Sequence, residues 1–133
     1  MNRKRVLIDT SAWIAALRPS GSKEVKEKIE ILLGEDCAAI SGIIKLELLS
    51  GTRNDREYHE LSEDLESLHY IPTDEEVWRC SYRLSRDIKK EGLSIPATDL
   101  LIASVAITAG CEMMHLEKHF TLLAKHSPLQ IMA

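Results

Sequence analysis

At 133 residues, 44% apolar and 29% charged, the chain can close a hydrophobic core, and one domain over residues 1–133 is expected. A formal net charge of −4 argues against polyanion binding by bulk electrostatics. No apolar run approaches a bilayer span, the N-terminus has no signal-peptide core, and Cys37, Cys80 and Cys111 fit reduced thiols better than a disulfide frame, so a cytoplasmic chain without membrane contact is expected.

Arg3, Lys4 and Arg5 lead into Val6-Leu7-Ile8, a short strand buried on both faces. It breaks at Asp9, and the hydroxyls of Thr10 and Ser11 behind it suit a strand end running into a helix that Asp9 caps. Residues 12–17 read as that helix, stopped by Arg18-Pro19-Ser20-Gly21. Ser22 caps a second helix with Val25, Ile29, Leu32 and Leu33 on one stripe and Gly34 at its end. Residues 37–40 are a second strand. Ser41 then caps a helix over residues 42–50, with Ile43, Ile44, Leu46, Leu48 and Leu49 inward and Gly51 as its stop.

Asn54-Asp55 opens a helix that carries Tyr58, Leu61, Leu65 and Leu68 on one face and a solvated acidic face opposite. Residues 70–72 make a minimal strand. Thr73 to Glu76 matches a capping box for a helix over residues 74–90, with Val77, Trp78, Leu84 and Ile88 inward. Pro96 fits the first turn of a helix that runs to about residue 109, apolar almost all round and so buried centrally. Gly110 closes it. A strand over 111–116, a helix over 117–125 and a strand over 129–132 complete the chain. The alternation predicts an α/β fold: a three-layer α/β/α sandwich around a short, mostly parallel sheet of four or five strands.

Four carboxylates stand out by position. Asp9 follows the first strand, where ligands bind in open parallel sheets. Glu47 lies on an otherwise apolar helix, Asp99 in the first turn of the most buried helix, and Glu117 just past the 111–116 strand. Three have a plain structural alternative: Asp9 as a cap, Asp99 as a charge favoured by the helix dipole, Glu47 paired in solvent with Lys45 or Arg53. Carboxylates from separate elements also suit a hard cation such as Mg²⁺ or Mn²⁺, which offsets their mutual repulsion. Such an ion can bind a phosphodiester, acidify a water and stabilise the leaving oxygen. Arg18, Lys45 and Arg53 could flank such a cleft or be ordinary surface charges. Five histidines are present in no spacing that would hold zinc.

The string Leu7-Ile8-Asp9-Thr10-Ser11-Ala12-Trp13 resembles the opening of PIN domains, particularly the VapC-type toxins of prokaryotic toxin–antitoxin pairs. Ile44-Lys45-Leu46-Glu47-Leu48-Leu49-Ser50-Gly51, Ile95-Pro96-Ala97-Thr98-Asp99-Leu100-Leu101-Ile102-Ala103 and His115-Leu116-Glu117-Lys118-His119-Phe120 resemble its later motifs, in order. The resemblance implies a PIN-type fold, Mg²⁺- or Mn²⁺-dependent endoribonuclease activity, an RNA substrate, a small antitoxin partner that reaches the site, and a homodimer. It implies that Asp9 and Asp99 ligate metal, that Glu47 ligates a second ion or holds a water, that Glu117 supports metal through water, and that Ser11 orients Asp9.

The fourth motif departs from the family, which usually has Asp where Glu117 stands and often a second Asp at His119. Glu reaches one methylene further. His119 could contact a substrate phosphate when protonated, or be a helix-start residue beside Phe120. Tyr58, Leu61 and Leu65, or Trp78 and Tyr82, could form the dimer face or be core. Two rivals remain. A haloacid-dehalogenase-like phosphatase needs a second Asp where Ser11 stands. A non-catalytic PIN-like RNA- or protein-binding domain gains nothing from an acidic cluster.

Overall fold

The computed structural model describes residues 4–133, so Arg3 of the basic leader lies outside the described residues. In chain order the first half holds β1 (Val6–Ile8), α1 (Thr10–Leu17), α2 (Lys23–Gly34), β2 (Ala38–Ser41), α3 (Gly42–Ser50), α4 (Asp55–Leu65) and β3 (His69–Ile71). The second half holds α5 (Glu75–Lys90), α6 (Ala97–Ala109), β4 (Glu112–Met114), α7 (Lys118–His126) and β5 (Gln130–Ile131).

The aliphatic triplet of β1 is wholly buried and forms the middle of a five-stranded sheet in the order β3-β2-β1-β4-β5. Every pairing is parallel, with Val6 opposite Ala38 on one side and Glu112 on the other. From β1 the chain steps one way to β2 and β3; the later pair β4 and β5 extends the other way. Right-handed crossovers in opposite directions put their helices on opposite faces, which gives the expected α/β/α sandwich. A crevice opens where the direction reverses, at the carboxyl ends of β1 and β4.

Helix starts follow their caps. Ser22, Ser41 and Asn54 each accept a hydrogen bond from the amide three residues on, as their side chains suggest. The Thr73–Glu76 capping box does not form. Asp74 takes the cap through Val77 N–H, and Thr73 Oγ1 is buried without a partner. A carboxylate at that position gains from the helix dipole as well as from the bond, which a hydroxyl does not. The turn after α2 also differs from expectation: Gly34 stays helical, and Asp36 adopts the left-handed conformation, φ 54°.

Several apolar residues expected inside lie outside. Leu46 is 61% exposed, because Ile44 and Leu48, four residues apart, take the core-facing side of α3 with Ile43 and Leu49 packed at its edges. Trp78 is 41% exposed, since the buried line of α5 runs Val77, Ser81, Leu84, Ile88 and a neighbour is rotated by about 100°. Leu33 is half-exposed for the same reason beside Leu32. Helix α6 meets the expectation fully, with residues 100–106 all buried. Cys37 and Cys111 are buried, while Cys80 is half-buried. Among the described residues no helix is long and apolar enough to cross a membrane.

Two glycines test the backbone reading. Gly110 ends α6 at φ 67°, whereas Gly34 is helical with nothing within 4 Å of an added Cβ. Gly110→Ala should cost about 1 kcal/mol and Gly34→Ala should gain up to about 1 kcal/mol in urea denaturation. Equal effects at the two positions would contradict these helix ends.

Candidate active site

The β1–β4 pairing continues to Asp9, whose N–H donates to Met114 O at 2.9 Å. Asp9 is therefore fixed at the crevice and is 5% exposed. Its Oδ2 accepts Ser11 N–H at 3.0 Å and Ser11 Oγ at 2.7 Å. The capping alternative is thus real, but it uses one oxygen: among the described residues both bonds to this carboxylate go to Oδ2. Ser11 Oγ also accepts Leu116 N–H at 3.0 Å, which ties the start of α1 to the loop between β4 and α7.

That loop carries Glu117. Because β4 ends at Met114, His115 and Leu116 stand between the strand and the carboxylate, a longer reach than the sequence suggests. Glu117 N–H donates to His115 Nδ1 at 3.0 Å, and the His115 ring sits edge-on to buried Phe120 at 5.3 Å. Burial holds the His115 ring below the usual histidine range, against the opposing charges of Asp9 and Glu117. A neutral Nδ1 can then accept the amide. Glu117 occupies the cap position of α7 without making a cap bond.

Asp99 projects from the first turn of α6 and meets His119 of α7, with Nδ1 to Oδ2 at 2.8 Å. The same Nδ1 lies 3.4 Å from Glu117 Oε1. Burial pushes the Asp99 carboxyl above its usual range. The His119 bond and charge oppose this, while the charges of Asp9 and Glu117 add to it. Asp9, Asp99, Glu117 and His119 thus share one electrostatic neighbourhood.

Glu47 stands beside them. It is exposed, and its Oε1 accepts Thr10 Oγ1 at 2.8 Å. The solvent-pairing alternative does not hold, since Lys45 meets Glu66 and Arg53 meets Glu57. Among the described residues, no three His, Cys, Asp or Glu side chains stand close enough to form a ligand shell as they are. The donor set still fits a hard cation. It is built of carboxylate oxygens, with the charges of Asp9 and Glu117 adding to the upward push that burial gives Asp99, and Mg²⁺ keeps several waters and needs one or two carboxylates from a protein. Sequence reasoning missed the parts played by Thr10, His115 and the His119–Asp99 contact. Thr10 offered one signal, a hydroxyl next to Asp9; the other two are contacts between distant segments.

Two cavities lie among the neighbouring helices, and one of them reaches Glu47. One of about 340 Å³ is lined by Ile14, Leu17, Arg18, Glu47 and Leu61, among others. The second, about 460 Å³, has Trp13, Leu17, Leu33, Leu61, Leu65 and Leu68 on its walls. Leu17 and Leu61 belong to both, so the apolar groove runs on to Glu47.

Residues 6–126 match the family model described as PIN domain. VapC ribonuclease Mb1587 of Mycobacterium bovis is 31% identical over 129 residues, covering 94% of this chain and 96% of its own. Ribonuclease VapC11 of Mycobacterium tuberculosis matches with the same identity and coverage. Among solved structures, VapBC2 from Rickettsia felis bound to a promoter DNA fragment superposes with a TM-score of 0.80 at 21% identity, covering 96% of both chains.

The raised Asp99 carboxyl has a measurable consequence. An acid whose folded pKa exceeds its unfolded value favours folding at low pH, and that contribution is lost as pH rises through the raised value. Asp99→Asn should therefore raise the metal-free Tm at pH 7, with the advantage shrinking below the ordinary Asp range. A variant less stable than the parent at pH 7 would show that the His119 bond outweighs burial and repulsion.

Proposed function

The chain belongs to the PIN domain family, and from that premise we propose that it is a Mg²⁺- or Mn²⁺-dependent endoribonuclease, the toxin of a toxin–antitoxin pair. The observation that carries the reading is that Asp9 and Glu117, past the ends of β1 and β4, both act by their charge on the Asp99 carboxyl at the start of α6. Its similarity to proteins named VapC ribonucleases supports RNA as the substrate. In this reading residues 1–133 act as one nuclease domain in the cytoplasm.

Asp9 and Asp99 would hold the ion, each with one oxygen tied by a neighbour and the other left over. Glu47, steadied by Thr10, would hold a second ion or serve as the base. Glu117, with its longer side chain, would support the ion from further out. Ser11 orients Asp9 and keeps the Glu117 loop against it. When bound, Mg²⁺ or Mn²⁺ supplies Lewis acidity to the phosphodiester and its attacking water. Arg18, which shares a groove with Glu47, is placed to contact RNA phosphate. A phosphatase of the haloacid-dehalogenase type is less suited, because Ser11 stands where its second Asp is needed and spends its hydroxyl on Asp9 and Leu116.

The apolar groove from Trp13 to Leu61 receives the antitoxin, whose chain can follow it to Glu47. Tyr82 and Trp78, with Ile43 and Leu101, line a separate apolar hollow of about 380 Å³ on another face. That hollow is the homodimer face, which leaves Leu61 and Leu65 for the antitoxin.

Total RNA incubated with the purified chain should be cut only with Mg²⁺ or Mn²⁺ present. Asp9→Asn should lose at least about a hundredfold in rate, and Glu117→Gln about 10–100-fold, as expected of a group acting through water. Cutting in chelator, or by Asp9→Asn at the parental rate, would contradict the reading. Light scattering at tens of micromolar, about the range that populates weak dimers, should show a dimer that Tyr82→Glu converts to monomer. A parental monomer would remove the dimer from the proposal.

A further inference from the structure

His119 departs from the acidic pattern of its motif, and its contacts differ from those a carboxylate could make there. With Asp99 ionised, as a cation ligand must be, it can only accept, and His119 Nδ1 is then the donor of the 2.8 Å contact, in the neutral ring as in the charged one. That N–H also lies 3.4 Å from Glu117 Oε1, between two groups that otherwise repel. Among the described residues it is the one hydrogen-bond partner of the Asp99 side chain. Without it the carboxylate is free to turn, and an ion would have to supply the cost of ordering it.

The backbone under the ring is well held. His119 sits in the first turn of α7, next to Phe120, which is fully buried and in contact with His115. The helix start that carries the ring is therefore anchored in the core rather than in a surface loop. A donor fixed this way can align a metal-binding carboxylate from outside the ligand shell, as partners of metal ligands commonly do.

We propose that His119 is a positioning residue, holding Asp99 by Oδ2 so that Oδ1 is presented to a divalent cation. This rests on the metal-dependent reading above and replaces the phosphate contact considered for His119 from sequence. The rival arrangement is a ring that competes with the ion for Asp99; the two differ in sign.

The test is Mn²⁺ affinity of the purified full chain, read by electron paramagnetic resonance of free Mn²⁺ and by the Mn²⁺-induced rise in Tm. His119→Ala should weaken Mn²⁺ binding about 10–100-fold while changing the metal-free Tm little. His119→Asn, whose amide N–H falls where Nδ1–H was, should stay close to the parent. His119→Gln, which mimics Nε2 instead, should behave like His119→Ala. If His119→Ala binds Mn²⁺ as tightly as the parent, or more tightly, the proposal is overturned and competition is favoured. If Ala and Asn weaken binding equally, the ring acts by packing and the proposal also falls. Loss of binding in Asp99→Asn with none in His119→Ala overturns this inference alone. Absence of Mn²⁺ binding by the parent overturns the metal reading and this inference together.

Discussion

Ser11 Oγ donates to Asp9 at 2.7 Å and accepts the Leu116 amide at 3.0 Å, so one hydroxyl spans the gap between the ends of β1 and β4. The rest of the site hangs on that span. On one side it fixes the Asp9 carboxylate at a helix start; on the other it sets the loop that carries His115 and Glu117 and leads into α7, where His119 sits. A parallel sheet cannot close this gap by backbone pairing, because past the strand ends the two chains turn into helices on opposite faces. A side chain with both a donor and an acceptor can.

The cost of the arrangement is borne by Asp99. It stands in the first turn of α6, the most deeply embedded helix, where it is partly buried. Burial costs it hydration, and the charges of Asp9 and Glu117 add repulsion. The His119 N–H offsets part of this. A divalent cation would offset more, and the strain without it is the physical reason to read these carboxylates as a binding site rather than as caps.

Sequence patterns located the features that depend on local chemistry. The β1 triplet followed by Asp9, the caps at Ser22, Ser41 and Asn54, and the all-round apolar α6 are each legible, because neighbouring residues determine them. Asp9, Asp99 and Glu117 could be named as candidates, and the fold brings them together. What the sequence hid are contacts between segments far apart in the chain: Thr10 with Glu47, Ser11 with Leu116, His119 with Asp99. Trp78 and Leu46 were misread for another reason. Apolar identity says that a side chain prefers burial, but the phase of the helix decides whether it gets it.

We propose that the junction of β1 and β4 holds a divalent cation between Asp9 and Asp99. Crystals grown or soaked with Mn²⁺ and measured for anomalous scattering decide this. A peak is expected within about 2.0–2.3 Å of a carboxylate oxygen of both residues, with His119 still bonded to Asp99. Mn²⁺ bound elsewhere on the molecule, with this crevice lacking a peak, would contradict it.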